Sequence, residues 1–129
     1  MDKAQMLEKL ARMDLPPAEY WLVAGGAMVL YGLREATEDI DLGCTSRLAD
    51  DLERRGCPTV RLEDGTRKIA LGGECELFED WLYDRVETVE GVPVISLRGL
   101  LAMKQALGRE KDRADIEKIR MRLDQAMTG

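Results

Sequence analysis

The sequence predicts a single α/β domain, in which one mixed sheet is flanked by helices in the α+β manner, without repeated βαβ units. Three observations carry this. The chain has 129 residues, 45% apolar and 34% charged, the balance of one soluble domain over 1–129 with one core. Helical spacing marks both ends, at Leu7, Leu10 and Ala11 and again at Ile116, Ile119 and Leu123. Between them, residues 58–79 read as three short strands, separated by Asp64-Gly65 and Gly72-Gly73, pairs suited to tight hairpin turns.

In chain order, a first helix over 3–13 stops before Pro16-Pro17. Trp21-Leu22-Val23 is a short buried strand, and Gly25-Gly26 turns it into a helix from Ala27 to Tyr31, stopped by Gly32. A second strand reads Asp39-Ile40-Asp41-Leu42. Ser46 caps a helix running to Arg55, with Leu48 and Leu52 inward and Gly56 just past its end. Strands follow at 58–62, 67–71 and 74–79. A last strand from Val92 to Ile95 leads to helices over 97–107 and 112–126, the latter with Asp112 as its N-cap. The predicted order is α-β-α-β-α-β-β-β-β-α-α.

Composition narrows the chemistry. Nineteen Lys and Arg against twenty-five Asp and Glu leave a net charge of −6, which argues against generic DNA or RNA coating. It leaves a nucleotide substrate open, because bound cations reverse a local sign. The chain has no histidine, which removes Ser-His-Asp and Cys-His catalysis and every His-containing zinc site. Three cysteines without CxxC spacing point to a reducing, cytoplasmic compartment. No apolar run approaches the ~20 residues of a membrane span, and the charged first fourteen residues are no signal peptide. Carboxylates, Lys, Arg, hydroxyls and backbone amides remain.

Residues 21–42, WLVAGGAMVLYGLREATEDIDL, are the most informative. Asp39 and Asp41 lie two apart on a strand, so both side chains take one face while Ile40 and Leu42 take the other. Two surface acids on an edge strand would look the same. Like charges held this close repel, and a divalent cation relieves the conflict; Mg²⁺ commonly takes one or two carboxylates plus substrate phosphates. Gly25-Gly26 adds a second element. Without Cβ atoms the backbone there can approach a ligand closely, and amides opening a helix favour phosphate. The same pair would also allow tight strand-to-helix packing.

Gly25-Gly26, then Arg34, Thr37 and Asp39-Ile40-Asp41-Leu42, resemble the signature of the polymerase-β-like nucleotidyltransferase superfamily. "R-x-x-T-x-D-I-D-L" is typical of its small stand-alone bacterial members. Glu76-Leu77-Phe78 fits the place of a third carboxylate on a later strand, where the family more often has Asp. Glu74 shares that strand face and is a rival; Phe78 lies deeper, which leaves Glu76 at a cleft wall and Glu74 nearer the Gly72-Gly73 turn. Residues 92–120 resemble the family's tail: a strand, a helix with an inner Lys, and "R-x-K-D-x-x-D-I".

The resemblance implies a metal-dependent transfer of a nucleoside monophosphate from an NTP to an acceptor hydroxyl. Asp39, Asp41 and Glu76 would hold Mg²⁺ or Mn²⁺ and carry the catalysis. Gly25, Gly26, Arg34, Thr37 and Lys104 would bind the nucleotide. Small members are frequently one half of a toxin–antitoxin pair; with almost no chain left for a separate acceptor-binding domain, a protein partner or a second copy is expected to share the acceptor site. The alternative is an antitoxin-like interaction module with weak or lost catalysis. The acceptor and the base are not legible.

Other residues read two ways. Lys104 shares a helix face with Leu100 and Leu107, so it either snorkels to water or reaches a triphosphate. Asp112 and Asp115 suit a helix N-terminus. Trp21, Trp81 and Tyr83 either pack in the core or stack a base. Cys57 and Cys75 read as small buried residues. Residues 109–122 carry six bases and four acids, the mixture of a solvated face.

Overall fold

Asp2 starts the first helix by accepting from the backbone amide of Gln5, whose side-chain oxygen in turn accepts from the Asp2 amide. This computed structural model describes residues 1–128. Helix α1 (Lys3–Met13) leads to β1 (Tyr20–Val23), α2 (Ala24–Leu30), β2 (Ile40–Cys44) and α3 (Ser46–Arg54). Five strands follow: β3 (Thr59–Arg61), β4 (Arg67–Ala70), β5 (Cys75–Glu79), β6 (Val86–Val89) and β7 (Val92–Ile95). Helix α4 (Leu97–Leu107), a 3₁₀ turn (Glu110–Asp112) and α5 (Arg113–Thr128) complete the described chain. No helix among the described residues is long and apolar enough to cross a membrane.

The seven strands form one mixed sheet in the order β3-β4-β5-β2-β1-β7-β6. Hairpins make β3–β4, β4–β5 and β6–β7 antiparallel, and β1–β2 is antiparallel across α2. Two pairings are parallel, β2 with β5 and β1 with β7, so the sheet is mixed as expected. The core is apolar and continuous: Leu22, Ile40, Leu42 and Leu77 of the central strands are fully buried, together with Met28 and Leu100 of the covering helices. Along β5 burial alternates, with Cys75, Leu77 and Glu79 buried and Glu76 and Phe78 half-buried.

Four local expectations change. The second helix starts at Ala24 instead of Ala27, so both glycines lie inside its first turn. The third helix is capped by Thr45, whose hydroxyl accepts from the Leu48 amide, and not by Ser46. Asp112 is no N-cap; it closes the 3₁₀ turn and is buried in an ion-pair network. Strand β6 was missed, because Val86-Glu87-Thr88-Val89 is polar and half-exposed; Glu90 and Gly91, both at positive φ, turn it into β7.

One glycine is dictated by packing. A Cβ on Gly43 would lie 1.9 Å from the indole nitrogen of Trp21, which donates to the Trp81 carbonyl at 2.9 Å. Trp21 is therefore a core residue and not a base-stacking platform.

Candidate active site

The sheet register assembles the carboxylates. Parallel pairing sets Asp41 of β2 directly beside Glu76 of β5, and antiparallel pairing sets Val23 of β1 on its other side. Asp39 lies just before β2 and is exposed, whereas Asp41 is half-buried. Burial raises the Asp41 carboxyl above the usual range; the nearby Asp39 and Glu76 charges add to the rise, and Lys68 and Lys104 oppose it. Glu76 accepts an ion pair from Lys68 at 3.0 Å. Glu74 instead pairs with Lys9 of α1 and borders neither of the two pockets that share Asp39 and Asp41.

Those two pockets meet at the acid pair. The first, of about 570 Å³, is bordered by Gly25, Arg34, Thr37, Asp39, Asp41, Lys104 and Arg109. The second, of about 500 Å³, is bordered by Asp39, Asp41, Glu76, Phe78, Trp81 and Arg109. At the first position of α2, Ala24 borders both and holds φ at 54°, a left-handed conformation costly for a residue with a Cβ.

Thr37 is buried and fixes the approach to the acid strand. Its hydroxyl donates to the Asp39 carbonyl at 3.0 Å, its amide donates to the Met1 carbonyl, and its own carbonyl accepts from the chain's amino terminus. Gly25 faces the first pocket: a Cβ there would meet Thr37 Oγ1 at 2.7 Å and an Arg34 nitrogen at 2.9 Å. Gly26 points the other way, its Cβ position facing Leu22 and Met6 in the core, and it does not border the pocket. Of the predicted glycine pair, only Gly25 stands at the site by its side-chain direction.

The floor of the first pocket is an ion-pair network. Lys104 of α4 is buried, its ammonium 3.2 Å from Asp112 and 3.1 Å from Asp115. Asp115 also pairs with Arg34 at 2.5 Å. Asp112, 1% exposed, accepts from Arg109 Nε at 2.7 Å and Nη2 at 3.0 Å, a two-pronged grip. That grip, with Lys104, holds the Asp112 carboxyl down at about 2. Lys104 thus neither snorkels nor stands as a free cation; two carboxylates neutralise it. Three cations against two carboxylates still leave the network net positive.

Arg109 is the residue that sequence reasoning missed. Its side chain is 44% exposed and borders both pockets. The available signal was Asp112 three residues on, after the Gly108 stop, a spacing that brings the two together across a 3₁₀ turn.

Among the described residues, no three acidic or cysteine side chains are grouped closely enough to hold a metal ion by themselves. The donors at the acid pair are nonetheless hard carboxylate oxygens, the type Mg²⁺ and Mn²⁺ prefer, and substrate phosphates commonly supply the remaining oxygens.

No protein-family profile matches the chain, and no curated protein matches it significantly. Five solved chains resemble it, among them two of distinct description. One is a candidate nucleotidyltransferase of Thermotoga maritima, at 16% identity and TM-score 0.63, covering 97% of this chain and 96% of that one. The other is the lincosamide antibiotic adenylyltransferase LnuA with lincomycin bound, at 18% identity and TM-score 0.53, covering 90% of this chain and 92% of that one. At these identities the likeness is one of fold, and the chain has the mixed-sheet, nucleotidyltransferase-like fold of both.

Proposed function

We propose that the protein is a metal-dependent nucleotidyltransferase that moves a nucleoside monophosphate from an NTP to an acceptor hydroxyl. One observation carries the reading: Asp39 and Asp41 stand at the edge of a pocket whose far wall is a net-positive ion-pair network beside Gly25. Carboxylates for a cation and fixed positive charge for phosphates are both needed to bind an NTP. The adenylyltransferase of similar fold supports ATP as the donor.

Arg34 and Arg109 face the triphosphate, each oriented by a buried aspartate, so their guanidinium groups lose little freedom on binding. Gly25 lets the phosphates approach the backbone. Asp39 and Asp41 would hold Mg²⁺ or Mn²⁺, and Glu76 would complete the set on the acceptor side. When bound, such a cation supplies charge neutralisation for the attacking and leaving oxygens. The acceptor oxygen then bonds to the α-phosphorus while the bond to the α,β-bridging oxygen breaks. Pyrophosphate leaves with that electron pair, and the acceptor's proton passes to the Glu76 carboxylate and on to water. Positioning and electrostatics do most of the work, as in phosphoryl transfer generally.

A thermal-shift titration tests the donor half without an acceptor. ATP with Mg²⁺ at about 100 times its Kd should raise the melting temperature by several degrees, and Asp41→Asn should remove most of that gain. An equal gain in Asp41→Asn would refute the assignment. A wild-type protein that shows no gain would return the function to the antitoxin-like interaction reading.

A further inference from the structure

We infer that the second pocket is the acceptor site, and that it selects a small hydroxylated compound carrying a protonated amine and an apolar face. This rests on the nucleotidyl-transfer reading and deepens it. Gly25, Arg34 and Lys104 border only the first pocket, whereas Glu76, Phe78 and Trp81 border only the second. Asp39, Asp41 and Arg109 border both, so a group transferred at the acid pair has the donor on one side and the second pocket on the other.

Size sets the class of occupant. About 500 Å³ lies in the range of small-molecule sites, far below what a folded partner or a duplex needs. The apolar part of the wall is built and not incidental. Phe78 and Trp81 pack at a centroid distance of 4.8 Å, and Leu62 and Leu107 stand on the rim, each 38% exposed. Those two leucines carry apolar surface to water that the core does not claim.

Charge sets the rest. Asp39, Asp41 and Glu76 are the acids that would hold the cation, so the charge left for the acceptor is that of Asp64 and Asp80, against the single cation Arg109, which Asp112 already holds. Glu79 also borders it, but its carboxylate is taken by Arg67. Lys68 pairs with Glu76 from outside the lining. Among the described residues, the Asp80 carboxylate accepts only a long contact from the Ser46 hydroxyl at 3.4 Å. An anionic acceptor such as an RNA end would be repelled here, and a neutral one would gain nothing from the acids. A protonated amine is attracted both by these carboxylates and by the faces of Trp81 and Phe78. The first pocket lacks that excess: Arg34, Lys104, Arg109 and Lys111 there stand against Glu38, Asp39, Asp41, Asp112 and Asp115, close to balance.

Three probes of one size separate the possibilities: benzyl β-glucosaminide, its N-acetylated form, and benzyl β-glucuronide. They share hydroxyls and an aromatic face and differ in charge. Calorimetric titration of the full chain should show the amine binding about tenfold or more tightly than the neutral probe, and the anionic probe weakest. Asp80→Asn combined with Asp64→Asn should shrink that preference to about threefold or less. Asn tolerates the left-handed backbone of Asp80, at φ 56°, so the variant keeps the turn. Trp81→Ala should weaken the amine probe about fivefold or more without restoring the neutral one. Equal or better binding of the neutral or anionic probe overturns the inference. A preference that survives the double variant, or an amine probe displaced by ATP alone, overturns the location. Binding needs no turnover, so the two readings fail separately: a selective pocket in a protein that transfers nothing refutes transfer alone. Transfer restricted to neutral or anionic acceptors refutes this inference alone.

Discussion

A methyl group on Gly25 would press on Thr37 and Arg34 in the first pocket, whereas one on Gly26 would press on Leu22 and Met6 in the core. Gly26→Val should therefore cost about 1–3 kcal/mol by overpacking, while the folded protein still gains stability from ATP and Mg²⁺. Gly25→Val should lose the ATP-dependent gain. Urea unfolding with and without ATP–Mg²⁺ reads both, and the reverse pattern would place the wrong glycine at the site. The glycine pair was legible in the sequence; which member faced the site was not. Direction depends on helix phase, and the helix starts at Ala24 because the strained turn there comes one residue after β1. Period-two alternation made the shared face of Asp39 and Asp41 legible but could not separate Glu76 from Glu74; position along the strand and the resemblance favoured Glu76, and the structure sets Glu76 beside Asp41. The partners of Lys104 were not legible. Helical spacing shows which stripe a lysine shares, but not that two aspartates from the next helical turn come to meet it.

The β4–β5 hairpin is an element with a polar lock on its buried face. Arg67 of β4 and Glu79 of β5 are both buried and joined at 2.6 Å, and Asp50 and Glu53 of α3 reach the same guanidinium. The Arg67 bond holds the Glu79 carboxyl down at about 2, against an ordinary 4.5. Glu79 therefore contributes stability that is complete above about pH 4.5 and is lost as pH falls toward 2. Glu79→Ala should cost about 3 kcal/mol at pH 7, the lower end for a broken buried pair because Asp50 and Glu53 remain beside Arg67. Denaturation at pH 7 and pH 3 should show the gap between wild type and variant narrowing at the acid end; a gap independent of pH would mean Glu79 is not ionised in the fold. The hairpin itself was legible from its turn pairs. Strand β6 was not, since its two valines, Val86 and Val89, stand three apart and so break the period-two alternation of a strand.

Across the whole molecule, the sheet grades from a buried centre to open edges. Leu22, Leu42 and Leu77 are fully buried in β1, β2 and β5, whereas Val60 of β3 is 60% exposed and Val86 of β6 is 39% exposed. Amide hydrogen exchange should therefore be slowest in the three central strands, requiring global unfolding, and faster at both edges by local opening. Protection of β6 equal to that of β2 would show that something covers that edge. The mixed character of the sheet was legible from element order. Which strands lie side by side was not, because the parallel neighbours are joined only through long crossovers whose path no local pattern records.

The neighbouring positions of Asp41 and Glu76 carry a consequence in time. The two residues meet through a parallel pairing, and a parallel pair requires a long connection; here it includes α3 and the whole β3–β4 hairpin. Closing so long a loop loses chain entropy before the contact returns any stability, which delays such pairings during folding. During synthesis, Asp39, Asp41 and the Gly25 turn emerge well before β5. A chain at that stage bears its first acids and glycines but neither the Glu76 wall nor Lys104, Arg109, Asp112 and Asp115, so neither pocket is complete. The ion-pair network of α4, the 3₁₀ turn and α5 follows β5 in the chain, so the floor of the first pocket is the last part of the site that synthesis delivers.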